Sequence, residues 1–379
     1  MANVNLQYLL GAPNLCGIIQ TTKSIVPDPF DAPAYDYVDK VCNGNTGQYT
    51  TYAGVRKLTR VSAYGGASGN MQLRELGIKP VVLVHSNNNI IIQPTDYMSI
   101  LAYDDLVRQK LGIQEVTRQV MATRDYSVNF RRVMKSAMLF NNGFTWDSQG
   151  NMIPPGGSGA VNTTGVNYGV PSGNQGQLDI LGTGNPIIAT TWNNPAAKIP
   201  EQLSQLVKQS TQLTGYTTDT AYYGANIAQF MTQNNYVQPF LARAQLGALA
   251  PGMEFVSDGT LPPHLLGFDW IPAYMSYWRD QNDVAQTFVG DDAVTFTPKP
   301  ESFWVACLEG TIPVPTKANI ITQYETSLQD AGMIEQAGMF AYGVQTVDPA
   351  GLKIVFGDTY LPILKVPNAI FIATVATGS

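Results

Sequence analysis

The residues able to do chemistry are few and scattered. His85 and His264 are the only histidines, and neither stands in an HExxH arrangement, so the paired ligands that grip zinc are missing. Each reads as a surface or satisfied core histidine. Cys16, Cys42 and Cys307 are far apart and odd in number, which gives no disulfide framework or CxxC knuckle. They read as buried free thiols in a reducing compartment. Asp104-Asp105 and Asp291-Asp292 are adjacent pairs. In a strand such neighbours project to opposite faces and make a poor general acid and base. No GxSxG elbow or GxxxxGK[ST] phosphate loop occurs. Gly182-Thr183-Gly184 runs into Asn185-Pro186, and proline there spoils a phosphate-binding turn. The Gly156–Gly159 cluster has no lysine after it and reads as a loop. Asn162-Thr163-Thr164 matches a glycosylation acceptor, but no signal peptide is expected, so the match reads as chance. The pattern predicts no catalytic residue, no metal and no cofactor. What remains is a basic row: Arg118, Arg124, Arg131, Arg132 and Lys135. Such side chains are ordinarily solvated; otherwise they make salt bridges between subunits or touch phosphate.

The element carrying that row is Gln114–Gly143. Val116, Val120, Thr123, Ser127, Phe130, Met134 and Ala137 follow one another at steps of four and three, the spacing of one helix face. Tyr126, Val133 and Phe140 widen that face, and Asn141-Asn142-Gly143 supplies a stop. A helix over 114–141 would be about 40 Å long at about 1.5 Å per residue. It fits either the spine of an elongated subunit or a long core helix.

The rest of the chain surrounds that helix. Residues 1–50 carry Pro13, Pro27, Pro29 and Pro33 and read as an irregular arm, which either wraps a neighbour or packs on its own subunit. Residues 51–98 read as strand, loop, strand, with Lys57–Tyr64 and Met71–Ile78 flanking a Gly65–Asn70 tip. Residues 144–197 hold ten glycines and only two charged residues, Asp147 and Asp179. They read as loop, short hairpins or a surface insertion. Helices are predicted at Ile199–Gly215, around Tyr222–Met231 and at Pro239–Gly247. Strands follow to the end, with Pro362 and Pro367 between the last two. Charged residues are 13% of the chain, against 44% hydrophobic. That charge fraction is about half the usual. Tyrosine (19) and glycine (35) are plentiful. Little repulsion keeps copies of such a surface apart, so it suits a protein covered by neighbours. A net charge of −6 argues against a sequence-independent DNA binder. The beginning lacks the charged and apolar regions of a signal peptide, and no apolar run is long enough to span a membrane.

The order of segments resembles the major capsid proteins of tailed double-stranded DNA bacteriophages, the lambda-type capsid protein E family, over roughly residues 50–379. The carriers are the extended loop Arg56–Ile92 before the long helix, and Thr190-Thr191-Trp192-Asn193-Asn194-Pro195 before Ile199–Gly215. Tyr222–Asn226, Gly267–Trp270, Asp292–Phe296, Asp348-Pro349, Tyr360-Leu361-Pro362 and Val366–Ala369 follow in order.

The resemblance implies an α+β subunit of the tailed-phage major capsid fold. Its parts would be an N-terminal arm (1–50), an extended β-hairpin loop (51–98), a peripheral domain and an axial domain (199–345). The peripheral domain would take 99–198 and 346–379, with spine helix 114–141 and a Gly/Asn-rich insertion at 147–197. It also implies a non-enzymatic structural protein forming hexamers and pentamers of an icosahedral shell, maturing from a procapsid around packaged DNA. The shell would be assembled in the host cytoplasm with a separate scaffolding protein, a portal protein and a decoration protein. Expected subunit-contact residues are Arg56, Lys57, Tyr64, Gly65, Gly66, Met71 and Arg74 in the loop, and Arg118, Arg124, Arg131, Arg132 and Lys135 on the helix. Whether the helix arginines face neighbours or DNA stays open. Other readings are an encapsulin-like nanocompartment shell, or a carbohydrate-binding or glycan-processing protein using the five tryptophans, the tyrosines and the many asparagines.

Overall fold

The long apolar stripe does fold as one helix, and it is longer than its periodicity predicts. A computed structural model describes residues 11–21, 28–52, 75–92, 106–147, 152–153, 164–241, 260–279, 283–300, 304–316, 332–347 and 350–376. In chain order the described helices are α1 (Ala12–Thr21), α2 (Leu106–Asn141), α3 (Ile199–Thr214) and α4 (Ile227–Gln233). The first strands are β1 (Val38–Asn43), β2 (Thr46–Tyr52), β3 (Glu75–Val82), β4 (Val84–Ile92), β5 (Gly143–Trp146), β6 (Met152–Ile153), β7 (Thr164–Asn167), β8 (Gln175–Gly176) and β9 (Thr220–Tyr223). Then come β10 (His264–Leu265), β11 (Phe268–Pro272), β12 (Trp278–Arg279), β13 (Ala285–Gln286) and β14 (Ala293–Thr297). The last are β15 (Val305–Pro315), β16 (Met333–Ala337), β17 (Phe340–Val347), β18 (Ala350–Leu364) and β19 (Phe371–Thr374).

Helix α2 has 36 residues, about 54 Å at about 1.5 Å each. It starts eight residues before the expected 114 and passes through Gly112. One interior glycine costs only about 1 kcal/mol, too little to end a helix this long. Val120, Thr123, Ser127, Met134 and Ala137 are buried, as their spacing requires. Tyr126 departs from the predicted face: it is 64% exposed and lies against Phe356. The helix stops where Asn142 takes φ 54° ahead of Gly143.

Two six-stranded sheets organise the subunit. The first, which packs on α2, runs β1-β15-β18-β17, with β16 also on β15 and β4 also on β18. Its centre is the 15-residue β18. This strand runs straight through Pro362, which faces Cys307 on β15. The Pro362 carbonyl accepts from the Tyr168 hydroxyl at 2.8 Å, so that residue's backbone turns away from β15. The missing N–H therefore costs the ladder nothing. The second sheet runs β10-β11-β9-β14-β19-β8. Its core is aromatic: Trp192, Tyr223, Phe268, Trp270 and Phe296 meet edge-on or tilted, with centroids 5.4–6.4 Å apart. Helix α3 covers it through Ile199, Leu203 and Leu206 and ends at Gly215, φ 73°, as its sequence predicts.

Three expectations need correction. Residues 144–197 are not a surface insertion over their described length. Strand β7 pairs with β5, β8 pairs with β19, and Leu178, Ile180, Ile187, Ile188 and Trp192 enter the aromatic core. Composition misleads there because a few apolar residues among many glycines suffice to fill a core. Tyr222 lies in strand β9, not in a helix. Gly224 follows it at a packed crossing, where a Cβ would sit 2.1 Å from the Gly290 carbonyl oxygen. The sheets also divide the chain differently from the expected cuts at 198/199 and 345/346. Strands β15 and β16 join the sheet that packs on α2, while terminal β19 joins the aromatic sheet. Of the two roles open to the arm, its described residues 28–50 pack on their own chain: β1 pairs in parallel with β15, and Phe30 and Tyr35 are fully buried.

Candidate subunit-contact surface

The expected contact residues fall into three groups. Arg56, Lys57, Tyr64, Gly65, Gly66, Met71 and Arg74 lie outside the described residues. The described base of their loop is the two-stranded ribbon β2–β3, in register from Thr46 opposite Val82 to Tyr52 opposite Glu75. The described strands are 46–52 and 75–82; of the predicted arms, 57–64 and 71–74 lie outside the described residues.

The ribbon is anchored on one side and bare on the other. Lys79 Nζ donates to the Tyr168 carbonyl at 2.6 Å, and burial lowers its pKa. The Tyr52 amide donates to the Lys365 carbonyl at 2.7 Å. Tyr49 is buried, and that burial pushes its hydroxyl up to about 12. Outward stand Tyr52, Val82 and Ile78, the last 62% exposed. On the neighbouring edge strand β1, Val38 and Val41 are exposed as well.

The second group is Arg131, Arg132 and Lys135, and the structure turns them inward, against the expectation that they reach neighbours. Arg131 Nε and Nη2 donate to the two Asp358 oxygens at 2.5 and 2.9 Å, and Nη2 also to Glu309 Oε1 at 2.9 Å. The guanidinium lies 4.2 Å from the Tyr360 ring centre. Asp358 is fully buried. Burial lowers the Arg131 pKa, but the Asp358 carboxylate outweighs it and holds the group more firmly charged than an ordinary arginine. Arg132 Nε and Nη2 donate to Asp31 at 2.9 and 2.5 Å. Lys135 Nζ donates to the Phe30 carbonyl at 3.1 Å and pairs with Asp36 at 2.9 Å. The cause is positional: the last turns of α2 are buried on nearly every side, so a cation there must find its partner inside.

In the third group only Arg118 stands fully outward. Arg118 is exposed and paired with Glu115 one turn earlier at 2.6 Å, which draws the Glu115 carboxyl down to about 2. Arg124 is half-buried. Sequence reasoning missed their neighbours Met121 and Tyr126, both exposed. Tyr126 edges a groove of about 700 Å³ floored by Phe130 and Phe356 and walled by Trp146, His85, Asn87 and Asn88. A period-3.6 count assigns Tyr126 to the core, and nothing local signals otherwise.

No catalytic arrangement forms around these groups. His85 stacks on Phe340 at 5.9 Å and hydrogen-bonds Thr359 Oγ1 at 2.8 Å; burial lowers its pKa. His264 meets Asp269 at 2.5 Å on the surface. Cys307 is buried, and its thiol is pushed up to about 12 by that burial, so it is no nucleophile. Among the described residues no His/Cys/Asp/Glu cluster has the shape to hold a metal, and no helix is long and apolar enough to cross a membrane. The described chemistry ties elements together and leaves apolar side chains outside.

No protein-family model matches the chain, and no curated protein matches it in sequence. Solved structures do match in shape. One is a protein described as a prophage capsid protein, from Escherichia coli CFT073. It is 12% identical, with 97% of this chain and 99% of that chain covered at a TM-score of 0.50. A phage-related protein from Bordetella bronchiseptica RB50 is 8% identical, covering 97% and 98% at 0.44. A chain from Gordonia phage Cozz is 9% identical, covering 96% and 95%, also at 0.44. At such identities likeness speaks of fold alone, and the first of the three carries it. With a long helix backing one mixed sheet, a second sheet beside it and a thin ribbon leading out, the chain has the α+β fold of tailed-phage capsid proteins.

Proposed function

We propose that this chain is the repeated subunit of a closed protein shell, a major capsid protein of the lambda type, with no catalytic activity. The observation that carries the reading is the fold shared over nearly the full length of both chains with a protein described as a prophage capsid protein. The physical setting agrees. A two-stranded ribbon is marginal alone, and this one offers Tyr52, Ile78 and Val82 outward. A low-charge surface is costly for a free monomer and unremarkable in an assembly.

In this reading the sheet that packs on α2 is the peripheral part and the aromatic sheet the axial part. Subunits form hexamers and pentamers of an icosahedral shell that matures from a procapsid around double-stranded DNA. A separate scaffolding protein and a portal protein assist, and a decoration protein docks outside. The loop tip carries inter-subunit contact through Arg56, Lys57, Tyr64, Gly65, Gly66, Met71 and Arg74, and the outward Arg118 and the half-buried Arg124 meet neighbours or DNA.

Electron microscopy and light scattering of the purified chain, with and without co-expressed scaffold, test this. Capsomers or shells are expected, and a stable monomer at high concentration overturns the reading. Particles holding a protein cargo and no DNA would point instead to a cellular nanocompartment. Deleting residues 65–70 should spare subunit folding and lower the temperature at which particles break up.

A further inference from the structure

The stretch 28–37 touches all three large parts of the subunit within ten residues. To helix α2 it offers Asp31 to Arg132 and Asp36 to Lys135, and the Phe30 carbonyl accepts from Lys135. To the sheet packed on α2 it offers two backbone carbonyls. That of Tyr35 accepts from the Tyr360 hydroxyl at 3.1 Å, and that of Tyr37 from the Cys307 amide at 2.9 Å. The Tyr35 ring stands edge-on to Trp304 at 6.3 Å. To the aromatic sheet it offers two contacts on one residue of β9. The Tyr35 and Tyr222 hydroxyls are 2.8 Å apart, and Phe30 stacks on Tyr222 at 5.7 Å.

No strand of one six-stranded sheet pairs with a strand of the other. Their union therefore rests on side chains, on α2 (the Leu139 carbonyl accepts from Thr295 Oγ1 at 3.0 Å) and on this stretch. The contacts are also graded. Phe30 and Tyr35 are fully buried, while Asp31 and Asp36 stand 35% and 43% exposed. Pins lie inside and ionic clips lie at the wet edge. Pro29 and Pro33 stiffen the segment, so it fits its slot as a preformed piece.

We propose that residues 28–37 form a clamp that fixes the mutual orientation of the two sheets, and that its release lets them swing while each stays folded. Surface clips that let go first and inner pins that hold one geometry are what a releasable clamp requires. The clamp belongs to the single subunit and stands whether or not the chain builds a shell.

The test places spin labels on Met333→Cys and Thr374→Cys, exposed positions on the two sheets. The native cysteines are buried. Labelled full-length chain is diluted with unlabelled chain so that only distances within one molecule are read. The parent should give one narrow peak. Tyr35→Phe, which removes only the hydroxyl facing Tyr222, and Asp31→Asn/Asp36→Asn should each broaden it. Phe30→Ala should abolish it as a single peak. Hydrogen exchange should show both sheets still protected in every variant. An unchanged peak in all three variants overturns the proposal. So does joint loss of protection in both sheets, because the stretch would then be ordinary core. Tyr35→Phe keeps ring and volume, which guards against a variant that merely fails to fold.

Discussion

At the residue scale, charge placement decides what is structural. Arg131 answers a fully buried carboxylate with a two-pronged bond. Removing one partner of such a pair strands the other charge in a poor dielectric. Arg131→Met should therefore cost about 3–5 kcal/mol of subunit stability, read as a lower urea midpoint. Arg131→Glu should abolish folding, since a third carboxylate would join Asp358 and Glu309. Asp31 gives a pH dependence whose sign is fixed. Desolvation pushes its carboxyl up, the Arg132 guanidinium pulls it further down, and the net pKa is lowered. A depressed carboxyl stabilises the fold above its unfolded value of about 3.9 and loses that contribution as pH falls through the folded value. Acid unfolding should shallow below about pH 4 in Asp31→Asn. Asp28 works the other way, since burial raises it. Little of this was legible in sequence. Arg131 and Arg132 look identical in a helical count, and their partners lie 227 and 101 residues away.

At the element scale, reading succeeded where a segment's own period sets its environment. Helix α3 shows its apolar face, its early proline and its closing Gly215 in 17 consecutive positions, and it folds as read. Helix α2 showed its face but not its start, because Gly112 looks like a breaker and is not. The stretch 164–197 was misread because its burial comes from other elements: Trp192 donates from Nε1 to Gln202 on α3 and is roofed by Trp270 and Phe296. Of the predicted ribbon arms, 57–64 and 71–74 lie outside the described residues, and the described ribbon base pairs 46–52, read as arm, with 75–82, since pairing register depends on a partner strand rather than on composition. Its outward face gives a separable prediction. Ile78→Asp should leave subunit stability within about 0.5 kcal/mol of the parent, as exposed changes do, and should suppress assembly in light scattering. A matching loss of stability in the dissociated subunit would place Ile78 in the fold rather than in the contact.

At the scale of the whole molecule, the sparse charge sets how copies would associate in the proposed shell. Val38, Val41, Tyr52, Ile78, Met275, Tyr277 and Met333 stand exposed on a chain with only 13% charged residues. Association through such surface is driven by apolar burial, which salt does not screen and cooling weakens. Assembly monitored by scattering should survive about 1 M sodium chloride, where the Debye length is only ~3 Å, and should weaken on chilling. Dissociation by salt alone would show that charge pairs hold the contacts.

The pairing of β1 with β15 and of β4 with β18, strands far apart in the chain, has a consequence for synthesis. Ser86 meets Asp358 across 272 residues, and Cys16 meets Ala341 across 325. The early strands therefore leave the ribosome long before their partners exist. At about 5–20 residues per second that wait is on the order of tens of seconds. During it the ribbon base has no sheet to stand on, and the clamp has no slot to enter. A growing chain cannot present its finished outer face until its last strands emerge, so in the proposed assembly the order in which the polypeptide is made would keep neighbouring nascent chains from premature association.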